Sequence, residues 1–169
     1  AMPVMVDYIR NLNIPNLIVV SPDVGGVKMA SAYASALGTR LAIVVKQRKS
    51  ATETEASHII GDIQGKNILI VDDLTETAGT ITGAARILRE NGALDIYAGI
   101  SHTILTDLAV ERLKGSDLKE LITTNSVPAR LVPGSRVTSL SVAGLMGEGI
   151  KRIHDDESVS SLFEVKSNK

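Results

Sequence analysis

Ile68-Leu69-Ile70-Val71-Asp72-Asp73-Leu74-Thr75-Glu76-Thr77-Ala78-Gly79-Thr80 passes from an aliphatic run, through two adjacent carboxylates, into a segment of hydroxyls and a glycine. Ile68–Val71 is apolar at every position, which suits an extended chain covered on both faces, as in a parallel sheet. From about Ile81 to Asn91 the apolar residues return at helical spacing, and Gly92 stops the run. A second apolar run, Ile96–Ile100, follows. Strand, loop, helix and strand in that order make a βαβ unit.

The same pattern lies upstream. Leu17–Val20 leads into Ser21-Pro22-Asp23 and Gly25-Gly26, then Val27–Leu37 carries small and apolar residues at helical spacing, with Gly38 as its C-cap and Leu41–Val45 as the next strand. Repetition of the unit predicts an α/β fold, a mainly parallel sheet with helices on both faces. Downstream the reading gives a helix near Leu105–Leu113, a strand Leu121–Thr123, a loop carrying Pro128 and Pro133, a strand Val137–Leu140 and a helix near Val142–Ile153. Gly144, Gly147 and Gly149 weaken that last helix by about 1 kcal/mol each where they are interior, so tertiary packing is expected to hold it. His58–Gly61 and Asn67–Ile70, joined across Gln64-Gly65-Lys66, fit an antiparallel pair, and the polar stretch Gln47–Glu55 reads as a mobile loop.

In such folds ligands sit at the carboxyl ends of the strands. Glu76, Thr77, Ala78, Gly79 and Thr80 then fall at a helix N-terminus, where free amides, hydroxyls and the dipole favour a phosphate, and Gly79 lets the backbone approach its oxygens. Carboxylates beside a phosphate repel it unless they meet hydroxyls or a cation. A sugar phosphate answers both requirements, with its phosphate for the loop and its vicinal hydroxyls for Asp72 and Asp73. The plainer alternative is an acidic strand end with a capping Thr, but two acids followed by Thr-x-Thr-Ala-Gly-Thr exceed what capping needs.

Composition bounds the remaining possibilities. At 169 residues and 44% hydrophobic, the chain is one domain's length with a substantial core. Eighteen Lys and Arg against nineteen Asp and Glu leave a net charge of −1, so no overall field draws it to nucleic acid or an anionic membrane. No Cys excludes disulfides, thiolate metal sites and a cysteine nucleophile, and accords with a cytoplasmic location. One Phe, three Tyr and no Trp leave few platforms for stacking single-stranded bases. No apolar run reaches the ~20 residues of a membrane-spanning helix, and no signal-peptide layout opens the chain.

Val71 to Thr80, V-D-D-L-T-E-T-A-G-T, is similar to the phosphoribosyl diphosphate loop V-D-D-M-I-D-T-A-G-T of the ribose-phosphate diphosphokinases, or PRPP synthetases. Val20-Ser21-Pro22-Asp23-Val24-Gly25-Gly26-Val27 resembles that family's S-P-D-x-G-G segment, and Lys46-Gln47-Arg48 the K-x-R opening of its catalytic loop. His58 to Lys66 and the ending Ile153-His154 through Glu157-Ser158-Val159-Ser160-Ser161-Leu162-Phe163 also fit, so the resemblance covers nearly the whole chain.

The resemblance implies a type I phosphoribosyltransferase fold and transfer of diphosphate from Mg-ATP to the 1-hydroxyl of ribose 5-phosphate, giving AMP and phosphoribosyl diphosphate. By resemblance, Asp72 and Asp73 hold the ribose hydroxyls or a cation, while Thr77, Ala78, Gly79 and Thr80 cradle the 5-phosphate, as a phosphate or sulfate ion would also be held. Glu76 stands where the family usually has Asp, keeping the charge on a longer side chain. Lys46 and Arg48 close over the transferring phosphate, and Asp23 is a magnesium ligand. The alternative for Asp23 is a tight turn after Pro22. The tail Ser158-Val159-Ser160 matches part of the family's regulatory site between subunits, which implies a homo-oligomer. Val159, Leu162 and Phe163 are expected to pack back onto the domain.

Family members are about twice this length by resemblance, so residues 1–169 are expected to form a single domain matching their carboxyl-terminal half, without the half that supplies most of the adenine site. Such a chain is expected to be inactive alone. Two enzymatic or near-enzymatic alternatives share the loop: a purine or orotate phosphoribosyltransferase, and a non-catalytic PRPP synthetase-like regulatory domain. A signalling receiver domain is disfavoured, because Asp117 lies in polar Gly115-Ser116-Asp117 rather than ending an apolar strand. His58, His102 and His154 read as structural or solvated.

Overall fold

The structure, a computed structural model, describes residues 1–47, 56–128 and 136–165. Its elements are α1 (Met2–Asn11), β1 (Leu17–Ser21), α2 (Val27–Leu37), β2 (Arg40–Gln47), β3 (Ala56–Ile60), β4 (Asn67–Thr75), α3 (Gly79–Glu90), β5 (Ile96–Thr103), α4 (Asp107–Lys114), β6 (Leu118–Thr124), β7 (Val137–Leu140) and α5 (Ala143–His154), with a 3-10 turn at Ser160–Phe163. One sheet joins the seven strands in the order β3-β2-β1-β4-β5-β6-β7. All its ladders are parallel except β2–β3. The doubly covered, mainly parallel sheet agrees with the sequence reading.

The pleat divides the core. Ile68 and Ile70 of β4 face a cluster with Ile81, Ala84, Ala85 and Leu88 of α3, while Leu69 and Val71 face Met5, Val6 and Ile9 of α1 and Ala30, Tyr33 and Ala34 of α2. Every one of these strand residues is fully buried, which is why the run lacks the alternation of a half-exposed strand. Burial also pushes the Tyr33 hydroxyl up to about 12. Strand order reverses between β1 and β4, and there the chain ends of two βα turns diverge and leave a crevice.

Three expectations need correction. His58–Gly61 does not pair with Asn67–Ile70: β3 runs antiparallel to β2, with Val45 opposite His58 and Ile43 opposite Ile60. Both edges of β4 are already taken, by β1 and β5. Gly61, at φ 118°, steers the chain across Ala42 so closely that a Cβ there would lie 2.7 Å from the Ala42 Cβ. Secondly, α5 is not held by burial, because none of its residues is buried and Met146, Ile150 and Ile153 are exposed. Local bonds serve it instead, chiefly Arg152 Nε to Glu148 Oε1 at 2.7 Å. Thirdly, Val159 and Leu162 are partly covered, but Phe163 is 75% exposed and does not pack back. The polar stretch Gln47–Glu55 lies outside the described residues apart from the end of β2.

Candidate functional site

The β1 turn is built on Ser21 and Asp23. The buried Ser21 hydroxyl donates to the Asp23 carbonyl at 2.7 Å, and Asp23 Oδ1 accepts from the amides of Gly25 (2.9 Å) and Gly26 (3.1 Å). One Asp23 carboxylate oxygen therefore serves the turn, the plainer role considered for it.

Across the crevice, β4 continues past the apolar run to Thr75, so Asp72 and Asp73 lie within the strand rather than on the loop. Asp72 Oδ1 accepts from the Asp73 amide at 3.0 Å. Burial raises the Asp72 carboxyl above its ordinary range; the amide bond opposes that, and the charges of Asp73 and Asp23 reinforce it. Asp23, Asp72 and Asp73 line one cavity of about 550 Å³, together with Gly25, Gly26, Lys28, Met29 and Ala32.

Glu76, Thr77 and Thr80 are exposed beside this cavity and do not line it. Ala78 is buried at φ 56°, in the left-handed region, with its amide on Thr75 Oγ1 at 3.2 Å and its carbonyl accepting the Thr82 hydroxyl at 2.8 Å. No side chain caps α3, and among the described residues the amides of Gly79, Thr80 and Ile81 meet no acceptor. On the far side the loop is strapped to the β5–α4 segment. The Thr75 carbonyl accepts from the Ile104 amide (2.9 Å), the Glu76 carbonyl from Thr106 Oγ1 (3.1 Å), and the Thr77 carbonyl from Arg112 Nη1 (3.1 Å).

The remaining candidates are more scattered. Lys46 lies in β2 opposite Ser57, and Arg48 falls outside the described residues. Ser158 and Ser161 are tied to Arg152 Nη1, the first through its carbonyl at 3.2 Å and the second through its hydroxyl at 2.6 Å; neither lines the cavity. His102 is exposed at the end of β5 with Nδ1 2.7 Å from Ser126 Oγ. Sequence reasoning missed Lys28 and Arg112. A lysine two residues after Gly25-Gly26, in the first turn of α2, is a legible signal for the first. Arg112 is 35 residues from its acceptor Thr77, a separation no local pattern reveals.

As a metal centre the cavity is incomplete. Among the described residues no three acidic or histidine groups converge. Asp23, Asp72 and Asp73 are hard oxygen donors lining one cavity, a chemistry that suits magnesium only where a ligand's phosphates supply the rest of its coordination.

The family model described as phosphoribosyl synthetase-associated domain matches residues 51–164. A ribose-phosphate pyrophosphokinase of Chlorobaculum tepidum is 47% identical over 165 residues, covering 97% of this chain and 51% of that protein. The enzyme of that name from Synechococcus elongatus is 47% identical, covering 95% and 50%. The phosphoribosylpyrophosphate synthetase of Mycobacterium smegmatis superposes with a TM-score of 0.82 at 33% identity, over 92% of this chain and 51% of that one. An orotate phosphoribosyltransferase of Aeropyrum pernix, at 19% identity and a TM-score of 0.53, shares the fold. The chain spans about half the length of the curated relatives it matches. With the family match over most of its length, the chain belongs to the phosphoribosyl synthetase-associated domain family.

Proposed function

We propose that this chain carries the ribose 5-phosphate site of a ribose-phosphate diphosphokinase, which transfers diphosphate from Mg-ATP to the sugar 1-hydroxyl. The observation that carries the reading is the adjacency, on β4 and its loop, of two carboxylates facing a cavity and an uncapped helix start with open amides. Thr77, Gly79 and Thr80 hold the 5-phosphate, with charge and dipole in the favourable sense. Asp72 and Asp73 accept hydrogen bonds from the ribose 2- and 3-hydroxyls, which relieves their mutual repulsion. Magnesium, when bound, neutralises phosphate charge, and Asp23 with the Asp72–Asp73 pair would hold it. Lys46 and Arg48 act on the transferring group. A phosphoribosyltransferase reading is weaker, because the solved phosphoribosyltransferases share the fold at below 25% identity.

Residues 1–169 span about half the length of the relatives, and on this reading they are inactive alone. Assembly as a homo-oligomer, a cytoplasmic location and a regulatory role for Ser158, Val159 and Ser160 belong to the same proposal. Titration calorimetry tests it. Ribose 5-phosphate should bind, and Thr80→Val or Asp73→Asn should weaken binding about tenfold, the loss of one hydrogen bond to a charged or buried-site partner. Unchanged binding in both variants would remove the loop from the site. Rapid AMP formation from ATP by this chain would overturn its inactivity.

A further inference from the structure

The three straps on residues 75–77 have a consequence for the loop's other side. In a trans peptide the carbonyl and the following N–H point in opposite directions. Fixing the Thr75 and Glu76 carbonyls toward α4 therefore turns the amides of Glu76 and Thr77 away from it. Arg112 supplies the third strap, and its acceptor, the Thr77 carbonyl, immediately precedes left-handed Ala78, the residue that aims the first turn of α3. The guanidinium also explains Gly79. A Cβ there would lie 2.9 Å from Arg112 Nη1 and 3.6 Å from its Cζ, so the glycine leaves the space through which Arg112 reaches Thr77. No carboxylate among the described residues forms an ion pair with Arg112.

We infer that Arg112 is a positioning residue for the phosphate loop: by holding the Thr77 carbonyl on the α4 side, it sets the open amides of α3 for an anion. The inference rests on the proposal that residues 76–80 bind phosphate. It goes beyond it in assigning a role to a residue on a different helix that need not touch the ligand. Arginine suits the task because its planar fork can reach one acceptor while the rest of the guanidinium fills the space above Gly79.

The test uses the full chain with ribose 5-phosphate and, separately, inorganic phosphate as titrants, for the wild type, Arg112→Ala, Arg112→Lys and Thr80→Val. Amide exchange is followed on the ligand-free proteins. Arg112→Ala should weaken both titrants by a common factor of about ten, and should speed exchange at Ala78 and Ile104 while β1 and α2 stay as protected as before. Arg112→Lys, which keeps a donor for the Thr77 carbonyl, should recover part of both effects. If wild type binds and Thr80→Val weakens it while Arg112→Ala does not, the positioning role falls and the phosphate reading stands. If Arg112→Ala loses affinity with loop exchange unchanged, the charge acts directly on the anion and positioning is again overturned. If the wild type binds neither titrant, the phosphate reading fails and takes this inference with it.

Discussion

The Ser21 hydroxyl stands 2.8 Å from where a Cβ on Gly26 would be, with Gly26 itself at an ordinary φ of −80°. The glycine is thus required by the closeness of a buried hydroxyl, not by backbone conformation. Gly26→Ala should destabilise the protein by about 1–3 kcal/mol, the usual cost of overpacking. Ser21→Ala removes the obstructing oxygen and its bond to the Asp23 carbonyl. In that background Gly26→Ala should cost little more, so urea denaturation of the four-member cycle should show strong non-additivity. Additive costs would mean that some other contact fixes Gly26.

The raised Asp72 carboxyl predicts a pH-dependent penalty. Below its ordinary value of 3.8 the group is protonated in folded and unfolded chains alike and costs nothing. As pH rises past 3.8 and through the higher folded value, the unfolded chain ionises more readily, and the folded state loses stability. Asp72→Asn should therefore raise the Tm of the ligand-free protein at pH 7 but not below pH 3.8, where both states are protonated, while weakening ribose 5-phosphate binding about tenfold. An equal gain in both pH ranges would refute the electrostatic origin.

Ala78 is buried at φ 56°. A β-branched side chain is a poor fit to that backbone, and here it would also have to fit among Thr75, Thr82 and the α3 face. Ala78→Val should lower stability by more than about 2 kcal/mol and abolish detectable phosphate binding. Ala78→Gly should keep the fold, since it relaxes the strain at the loss of one methyl. Near-wild-type melting of Ala78→Val would show that the loop tolerates another path.

These residues show where the sequence was legible. Ile68–Val71 announced a buried strand because all four positions are apolar, and Asp72 and Asp73 pointed to the cavity they line because polar residues at a strand's carboxyl end face the switch-point crevice; the phosphate role read for Thr77–Thr80 belongs to the proposed function. Strand pairing across Gly61 was not legible: β3 could reach β4 or β2, and what decided it was the occupation of both β4 edges by strands distant in sequence. Nor was the Arg112 strap, which is a tertiary contact between helical and loop positions with no periodicity to mark it. The glycines of α5 called for tertiary packing, yet Met146, Ile150 and Ile153 are exposed, because composition does not tell what covers a helix.

Arg152 holds the chain's carboxyl-terminal segment through three groups: Nε on Glu148, and Nη1 on the Ser158 carbonyl and the Ser161 hydroxyl. These bonds restrain the segment alongside the partial cover of Val159, Leu162 and Val165, and their loss should matter locally rather than globally. Arg152→Ala should therefore release Ser158–Phe163 to limited proteolysis while shifting Tm by less than about 3 °C, as expected for a partly buried pair at the periphery of a domain this size. Glu148→Gln keeps both bonds from Nη1 and should leave the tail protected. The Arg152 hydrogen bond holds the Glu148 carboxyl below the usual carboxylate range. The stabilisation from that pair is thus present above the ordinary value and lost only as pH falls through the lower folded one, so tail protection in the wild type should be the same at pH 7 and pH 5. Cleavage of the tail at equal rates in wild type and Arg152→Ala would show that Leu162 and Val165, not Arg152, keep it in place.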